Sequence, residues 1–494
     1  MGPRVLSGPI GSCFSKGCYA AHWRACKEVV ATSRNFDVVV IGGGPGGYAA
    51  ALYGASAGLS VAVVEKEKVG GTCLHRGCIP AKEFLETAAV FRAVSGAEEF
   101  GVLASPPKVD FARSQSRKQK VVDQLWKGLS GLMKSRKIEV IEGFGTYLGD
   151  GQVQIDQGEV IIGDHVILAA GSQPRTIPGF DIDGKVVMTS DEVLSLTTLP
   201  RSVAVIGGGA IGCEFASMMS DLGVQVTLLE ALPSLLAGCD KDAADIVVRS
   251  FRKRGIAMFT GVAVHGHVRN GEGTTVNFGD GQSVAVDAVI VSVGRRPYSD
   301  ALLASQSKVK LDARGFVEVD SYMKTSETGV YAIGDLVATP QLAHVGFAEA
   351  IVAIKSILGE RTTPVDYQKV PWCIYTHPEV AFAGLTEDAA RAAGYEVVVK
   401  KDPFGGNSRA RIIGETEGLV KVVAEKRADG TAGRILGVHM AGPWVTEQLG
   451  MGYLAVNWEA TAEEVAEFIQ PHPTLSESFG ETVIALAGRG LHVG

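Results

Sequence analysis

No apolar run in this chain approaches the roughly 18 residues that a membrane-spanning helix needs, so no spanning segment is expected. Base is not in surplus either. Lysine and arginine number 47 against 54 acids, a formal charge of -7, which argues against a dedicated nucleic-acid or anionic-membrane binder. Cysteine is sparse. Eight in 494 residues do not make a secreted disulfide scaffold. A reducing interior is the expected setting, in which a single disulfide would be catalytic. No low-complexity segment interrupts the sequence. What is plentiful is glycine, 62 residues, as in nucleotide-binding α/β folds, and the length implies two to four domains.

Residues 1–35 differ from the rest. Arg4, Lys16, Arg24, Lys27 and Arg34 face one acid, Glu28. That composition is close to a mitochondrial presequence. Against it, Gly2-Pro3, Gly8-Pro9 and Gly11 would break an amphipathic helix early. We favour a disordered extension, kept outside the fold. The expected compartment is then a bacterial-type cytosol, with the mitochondrial matrix as the alternative if the segment is a presequence.

Residues 36–41 form a short apolar run that suits a buried parallel strand. Gly42-Gly43-Gly44-Pro45-Gly46-Gly47 follows at once. A small-residue helix is expected over 48–58 and a strand over 60–65 that ends in Glu65. The unit recurs. Residues 202–206 lead into Gly207-Gly208-Gly209-Ala210-Ile211-Gly212, then a helix to Leu222 and a strand over 225–230 that ends in Glu230. In both copies the acid lies 23 positions after the first glycine. A lone glycine fingerprint says little. Two in one chain, each between strand and helix and each with its acid, specify two dinucleotide sites. Backbone N–H groups and a helix dipole would face a pyrophosphate, built around Gly42, Gly44 and Gly47 in the first site and Gly207, Gly209 and Gly212 in the second. Each acid can accept ribose hydroxyl bonds; the alternative is a solvated strand end. Ala231-Leu232-Pro233 after Glu230 supplies no arginine, so the second site favours NAD over NADP.

Further along, a polar helix is expected over 115–137, sheet over 153–168, and strands over 284–293 and 330–333. From about Tyr367 the pattern changes to strands (396–399, 418–424, 435–440) before helices over 446–457 and 461–468. That is an α+β domain without a glycine fingerprint.

Cys73 and Cys78 stand five positions apart in Gly70-Gly71-Thr72-Cys73-Leu74-His75-Arg76-Gly77-Cys78-Ile79-Pro80-Ala81-Lys82. At the start of a helix such a pair can close a disulfide across roughly one and a half turns. A helix N-terminus also favours a thiolate. The alternatives are a zinc half-site or two unrelated core thiols. Zinc wants a second Cys or His pair at short spacing, and none follows, so no metal is expected. Cys213, Cys239 and Cys373 read as isolated core or surface thiols. Near the C-terminus stands His472-Pro473-Thr474-Leu475-Ser476-Glu477. Histidine has a pKa suited to deprotonating a dithiol near neutral pH, and a carboxylate can fix its tautomer. Pro473 breaks regular structure between them, so the spacing alone leaves a turn histidine and an exposed acid open.

The two fingerprints, the Cys73/Cys78 segment, Tyr331-Ala332-Ile333-Gly334-Asp335 and the His472–Glu477 segment together resemble the flavin disulfide reductases, and within them the dihydrolipoamide dehydrogenases. Gly294-Arg295-Arg296-Pro297, Tyr375-Thr376-His377-Pro378-Glu379-Val380 and Asn407-Ser408-Arg409-Ala410 also match. The resemblance covers nearly everything past the extension. It implies two Rossmann-like dinucleotide-binding domains plus a C-terminal α+β dimerisation domain. The expected division is an FAD domain over 36–175 and 296–366, an NAD domain over 176–295, and an interface domain over 367–494.

It also implies roles. The first dinucleotide site would hold FAD and the second NAD. Cys78 would be the charge-transfer thiol and Cys73 the interchange thiol that meets a dithiol substrate. Lys82 would sit near the flavin and pair with Glu214. Glu65, Gly145, Ala170, Gly171, Ser172, Asp335 and the stretch Gln341-Leu342-Ala343-His344 would line FAD. Glu230, Val264 and Gly294 would contact NAD. His472 and Glu477 would form the acid/base dyad and reach the partner subunit's disulfide, which implies an obligate homodimer. The implied activity is oxidation of protein-bound dihydrolipoamide, with electrons passing through the Cys73–Cys78 disulfide and FAD to NAD+. The lipoyl arm would come from the acyltransferase core of a 2-oxoacid dehydrogenase complex or from a glycine-cleavage carrier.

Several positions depart from the family pattern. Leu74-His75-Arg76 adds cationic potential beside the thiols, which is expected to lower their pKa. Ala81 and Ala170 replace common hydroxyl residues, and Gln470-Pro471 precedes the base where a second histidine is frequent. Rival readings are a glutathione-type reductase, which Glu230 disfavours, and a mercuric or large thioredoxin reductase, which would want redox residues near the C-terminus, whereas the last cysteine is Cys373. A non-enzymatic flavoprotein scaffold is a rival from another class. The intact Cys73, Cys78, His472 and Glu477 argue against it.

Overall fold

A computed structural model describes residues 34–493. The extension expected over 1–35 lies outside the described residues except for its last two positions, and those belong to the fold. Arg34 pairs with Glu159 at 2.7 Å and with Glu139, and Asn35 opens the first strand.

That strand, Asn35–Ile41, is buried on both faces, as its unbroken apolar run requires. It pairs in parallel with Val61–Glu65 on one side and Val160–Leu168 on the other. The full sheet has seven strands. Glu139–Glu142 adds next to Val61–Glu65, an antiparallel pair (Gln152–Ile155 and Gly145–Gly149) extends beyond Val160–Leu168, and Val330–Ala332 joins Val160–Leu168 in parallel. The first helix runs over Pro45–Ser56, three residues earlier than the sequence suggested. Proline suits a first helical position because the N–H it lacks would have no partner there.

The second unit repeats the first. Ser202–Ile206, the helix Ala210–Asp221 and Gln225–Glu230 build a parallel sheet with Ala257–Thr260, Ala288–Val291 and Val187–Met188. The single strand expected over 284–293 is two strands in different sheets. Gln282–Val286 closes a three-stranded antiparallel sheet and Ala288–Val291 enters the parallel one. The chain changes sheets at Asp287, whose carboxylate accepts from Arg201 N at 2.8 Å and whose N–H donates to Ser202 O at 3.1 Å.

A two-stranded ribbon, Ser172–Pro174 with Arg295–Pro297, spans the points where the chain leaves the first unit and returns. The polar helix starts at Phe111 instead of 115, because Phe111 is buried 4.9 Å from Phe84 and Asp110 caps the helix by accepting from Arg113 N. The C-terminal domain is a five-stranded antiparallel sheet in the order Trp372–Ile374, Glu379–Gly384, Ala432–Gly442, Leu419–Lys426, Val397–Pro403. The helices Val445–Asn457, Ala462–Ala466 and Glu477–Leu486 pack on it through Leu449, Val465, Phe479 and Val483. Sequence reading missed its first two strands and its last helix.

The second unit and the C-terminal domain share a buried ion cluster. Lys421, 3 % exposed, places Nζ 2.9 Å from Asp240, 2.7 Å from Asp242 and 3.0 Å from Glu387. Burial alone would lower the lysine pKa, but the surrounding carboxylates raise it. Among the described residues no helix is long and apolar enough to cross a membrane.

Candidate active site

The two fingerprint turns are built alike. Gly42 has φ 102°, and a Cβ there would lie 2.3 Å from Ala169 O. A Cβ on Gly47 would lie 1.8 Å from Gly42 O, so only glycine lets the helix close on the turn. Gly44 faces open space at a helix N-terminus that no side chain caps. Gly207, Gly212 and Gly209 repeat these three situations in the same order. The acids brace the turns. Glu65 accepts from Gly43 N at 2.7 Å and Glu67 N at 2.9 Å; Glu230 accepts from Gly208 N and from Leu232 N at 2.6 Å. An ionised carboxylate has lone pairs beyond these two bonds, so both acids remain able to accept from a ribose.

Both turns open on one cavity of about 730 Å³. From the first unit it is lined by Gly42, Gly44, Glu65, Cys73, Cys78, Lys82, Gly145, Ala170, Gly171, Ser172, Asp335, Gln341, Leu342 and Ala343, and from the second by Gly209, Glu214 and Gly294. Gly47, Gly207, Gly212 and Glu230 do not line it. His344 and Val264, expected at FAD and at NAD, are not among its lining residues either. His344 is exposed with Nε2 2.8 Å from Pro371 O, and Val264 packs at the edge of the apolar cluster that contains Phe180, Ile206 and Leu229. The cavity fits a flavin dinucleotide on structural grounds. The uncapped helix N-terminus at Gly44 offers free N–H donors to a pyrophosphate, and Gln341 Nε2 is buried with no partner in the wall, where a ring carbonyl would satisfy it.

The thiols do not share one helix start, as the sequence suggested. Cys73 lies in the short helix Gly71–Arg76 and Cys78 opens the next one, Cys78–Ser95, across a break at Gly77. A Cβ on Gly77 would lie 3.0 Å from Thr72 O, so glycine permits the close return. Both cysteines are free thiols in this structure. The Cys78 thiol is brought down to about 7, first by the hydrogen bond from Cys73 and, against the cost of burial, by the Lys82 charge. The Cys73 thiol moves up, because it donates that bond and is buried. With one proton between two sulfurs, the thiolate belongs to Cys78.

Lys82 Nζ lies 2.9 and 2.8 Å from the two Glu214 oxygens, and Glu214 also accepts from Tyr375 N at 2.9 Å. Burial would lower the Lys82 pKa, yet Glu214 holds it raised, so the cation persists beside the thiols. The cationic effect expected of His75 and Arg76 is corrected here. His75 Nε2 is 3.0 Å from Val69 O and Arg76 pairs with Glu67 at 2.9 Å, so both are engaged away from the sulfurs, and Lys82 supplies the field.

Asp335 accepts from Ser172 Oγ at 2.6 Å, and Arg295 donates to Ser172 Oγ at 2.7 Å and Ser172 O at 2.8 Å. Arg295 thus fixes two cavity residues and was missed; its position in the ribbon beside Gly294 was the available signal. Cys373 was read as an isolated thiol but lines the cavity, with burial pushing it up to about 11.

His472 Nδ1 is 2.9 Å from Glu477 Oε2, so Pro473 does not prevent the pair. The ring is 69 % exposed, whereas Glu477 is 15 % exposed at the start of the helix Glu477–Leu486. Gln470 packs over that helix, where a Cβ on Gly480 would lie 2.4 Å from Gln470 Cγ. The dyad does not line the cavity that holds its own chain's cysteines.

Residues 36–350 match the pyridine nucleotide-disulphide oxidoreductase family, and residues 370–483 match its dimerisation domain. A dihydrolipoyl dehydrogenase of Bacillus subtilis is 41% identical over 92% of this chain and 99% of its own length. A mitochondrial dihydrolipoyl dehydrogenase of Pisum sativum is 35% identical over 92% of both chains, and a leghemoglobin reductase of Vigna unguiculata is 37% identical over 91% of this chain and 87% of its own. Among solved structures, LpdA from Mycobacterium tuberculosis superposes with a TM-score of 0.85 at 26% identity, covering 92% of this chain and 99% of its own. The HOCl-induced flavoprotein disulfide reductase RclA from Escherichia coli gives 0.82 at 26% identity, over 91% and 99%. This chain therefore belongs to the pyridine nucleotide-disulphide oxidoreductase family and carries that family's dimerisation domain.

Proposed function

We propose that this protein is an NAD-dependent dihydrolipoyl dehydrogenase that oxidises dihydrolipoamide borne on another protein. The observation that carries the reading is the thiol arrangement. Cys78 is held as the thiolate, Cys73 keeps the proton, and Lys82 with Glu214 stands beside them in a cavity that both dinucleotide turns share. The relatives named dihydrolipoyl dehydrogenase support the substrate class. FAD, when bound along this wall, supplies a two-electron acceptor between the dithiol and NAD+.

The residues divide the thiol chemistry. In the disulfide form, a substrate thiolate attacks Cys73 Sγ and the Cys78 sulfur leaves. A thiol brought down to about 7 is a good leaving group. His472, oriented by Glu477, takes the proton from the second substrate thiol. That thiolate attacks the substrate sulfur of the mixed disulfide and closes the lipoyl ring. Cys73 leaves and takes back a proton from His472. The sum is one dithiol oxidised, one enzyme disulfide reduced to a thiol and a thiolate, and one proton released.

The exposed dyad, off its own chain's cavity, supports a homodimer in which His472 serves the partner subunit's disulfide, and the matched dimerisation domain supports the dimer itself. Glu65, with the residues that line the first unit, would hold FAD, and Glu230 would select NAD at the second turn. The division into 36–175 with 296–366, 176–295 and 367–494 agrees with the ribbon between Ser172–Pro174 and Arg295–Pro297. The acyltransferase core of a 2-oxoacid dehydrogenase complex or a glycine-cleavage carrier would present the arm, and the bacterial relatives favour a cytosolic setting. The test is a steady-state assay of dihydrolipoamide with NAD+ against glutathione disulfide with NADPH. Turnover only in the second pair would overturn the reading.

A further inference from the structure

The helix Phe111–Ser135 carries a cationic stripe that the reaction does not use. Arg113, Lys120, Lys127 and Lys134 recur every seven residues, all four are exposed, and none makes a side-chain hydrogen bond or ion pair among the described residues. Seven residues drift by only about 20° around a helix. The four cations therefore share one face, about 10 Å apart and about 32 Å from end to end. The other bases on the helix, and Arg136 just beyond it, are engaged. Arg117 pairs with Glu83, Lys118 Nζ lies 3.3 Å from Leu194 O, and Arg136 donates to Leu52 O. The one acid on the helix, Asp123, accepts from Gln119 at 2.9 Å. An unneutralised stripe is notable in a chain of formal charge -7.

The buried side of the same helix packs against both cysteine-bearing helices, Gly71–Arg76 and Cys78–Ser95. The stripe is thus the outer surface of the wall that holds the thiols. A second copy docked with its two-fold axis through the stripe would set cations against cations. We propose that this stripe is the docking surface for an acidic face of the protein that carries the dithiol arm. The inference rests on the dihydrolipoyl dehydrogenase reading and adds the partner's surface chemistry. Long-range attraction along such a stripe raises the encounter rate without touching the thiol chemistry.

The experiment compares two substrates of the full-length, FAD-loaded enzyme. One is free dihydrolipoamide. The other is the reduced lipoyl domain of a 2-oxoacid dehydrogenase acyltransferase core, chosen with a net negative charge. The variant R113E/K120E/K127E/K134E should lower kcat/KM for the lipoyl domain by about 10-fold or more, flatten its salt dependence, and leave kinetics on free dihydrolipoamide unchanged. The matching glutamine variant should show a smaller loss on the lipoyl domain alone, and it guards against a fold-level effect of charge reversal. Unchanged lipoyl-domain kinetics in both variants would overturn the proposal, as would an equal loss on both substrates. Wild-type retention by double-stranded DNA at 0.15 M salt, lost in the variants while lipoyl-domain kinetics hold, would overturn it in favour of a polyanion site. A wild type inactive on free dihydrolipoamide would instead sink the dehydrogenase reading itself.

Discussion

The Cys78 thiolate owes its stability first to the hydrogen bond from Cys73 and only then to the Lys82 charge. Cys73→Ala removes the first cause and leaves the second. A hydrogen bond to a charged group contributes about 1.5–3 kcal/mol. At 1.36 kcal/mol per pH unit, its loss should raise the Cys78 pKa by roughly one to two units from about 7. The sign is fixed: the bond stabilises the charged form, so losing it favours the thiol. At pH 7 the thiolate fraction should fall from about one half to between about one in ten and one in a hundred. The assay is the pH dependence of iodoacetamide alkylation at Cys78 in the reduced variant, read by mass, with the long-wavelength absorbance of the FAD-loaded protein as a second readout. Lys82→Met is the companion, and its effect should be smaller than that of Cys73→Ala. A midpoint that stays at 7 after Cys73→Ala, or a larger shift from Lys82→Met, would refute the order of causes.

Glu230→Ala should reduce kcat/KM for NAD by about 10-fold and narrow the advantage over NADP, because a ribose acceptor and a repulsive charge leave together; an unchanged ratio of the two kcat/KM values would mean that the acid does not face the ribose. Gly47→Ala places a methyl 1.8 Å from Gly42 O, so it should cost at least about 1–3 kcal/mol and yield protein short of FAD, seen in flavin content and thermal denaturation. Lys421→Met removes the buried cation shared by three acids; Asp242 keeps Lys401 and Glu387 keeps Arg391, so the loss falls on buried Asp240 and should cost up to about 3–5 kcal/mol in a denaturant titration, against almost nothing if the cluster is hydrated. Co-expressed Cys78→Ser and His472→Ala chains should give heterodimers with up to about half the wild-type activity per dimer, since one site then holds both groups. Inactive heterodimers with full flavin would place the base in its own chain.

Local signals made the two dinucleotide units legible. Val38 to Ile41 is apolar because the strand is buried on both faces, and Gly47 is glycine because the helix has no room for a methyl. Both constraints act within a few residues, so sequence carries them. The errors lie where distant contacts decide. Asp287 divides the 284–293 run because Arg201 and Ser202, more than eighty residues earlier, take its hydrogen bonds. Phe111 extends its helix because Phe84 receives it. Arg76 looked like a neighbour of the thiols, but Glu67 draws it away. Cys373 looked isolated because only the closing of the C-terminal sheet brings its strand to the cavity.

The seventh strand of the first sheet, Val330–Ala332, has a consequence for biosynthesis. It completes a sheet whose other strands are all made by Leu168, so its partner Val160–Leu168 waits for about 160 residues of further synthesis. At typical elongation rates of about 5–20 residues per second, that wait is on the order of ten to thirty seconds. During it Val166, Ile167 and Leu168, fully buried in the finished protein, present an apolar open edge to solvent or to a chaperone. The second unit, whose sheet uses strands from one continuous stretch, can close on the ribosome in the meantime. Asp335 follows Val330–Ala332 by a few residues, so the nascent chain completes the cavity wall only after the second unit exists. Cofactor capture is therefore a late event in the life of each chain, and flavin shortage should leave behind molecules with one dinucleotide unit folded and the other still searching for its last strand.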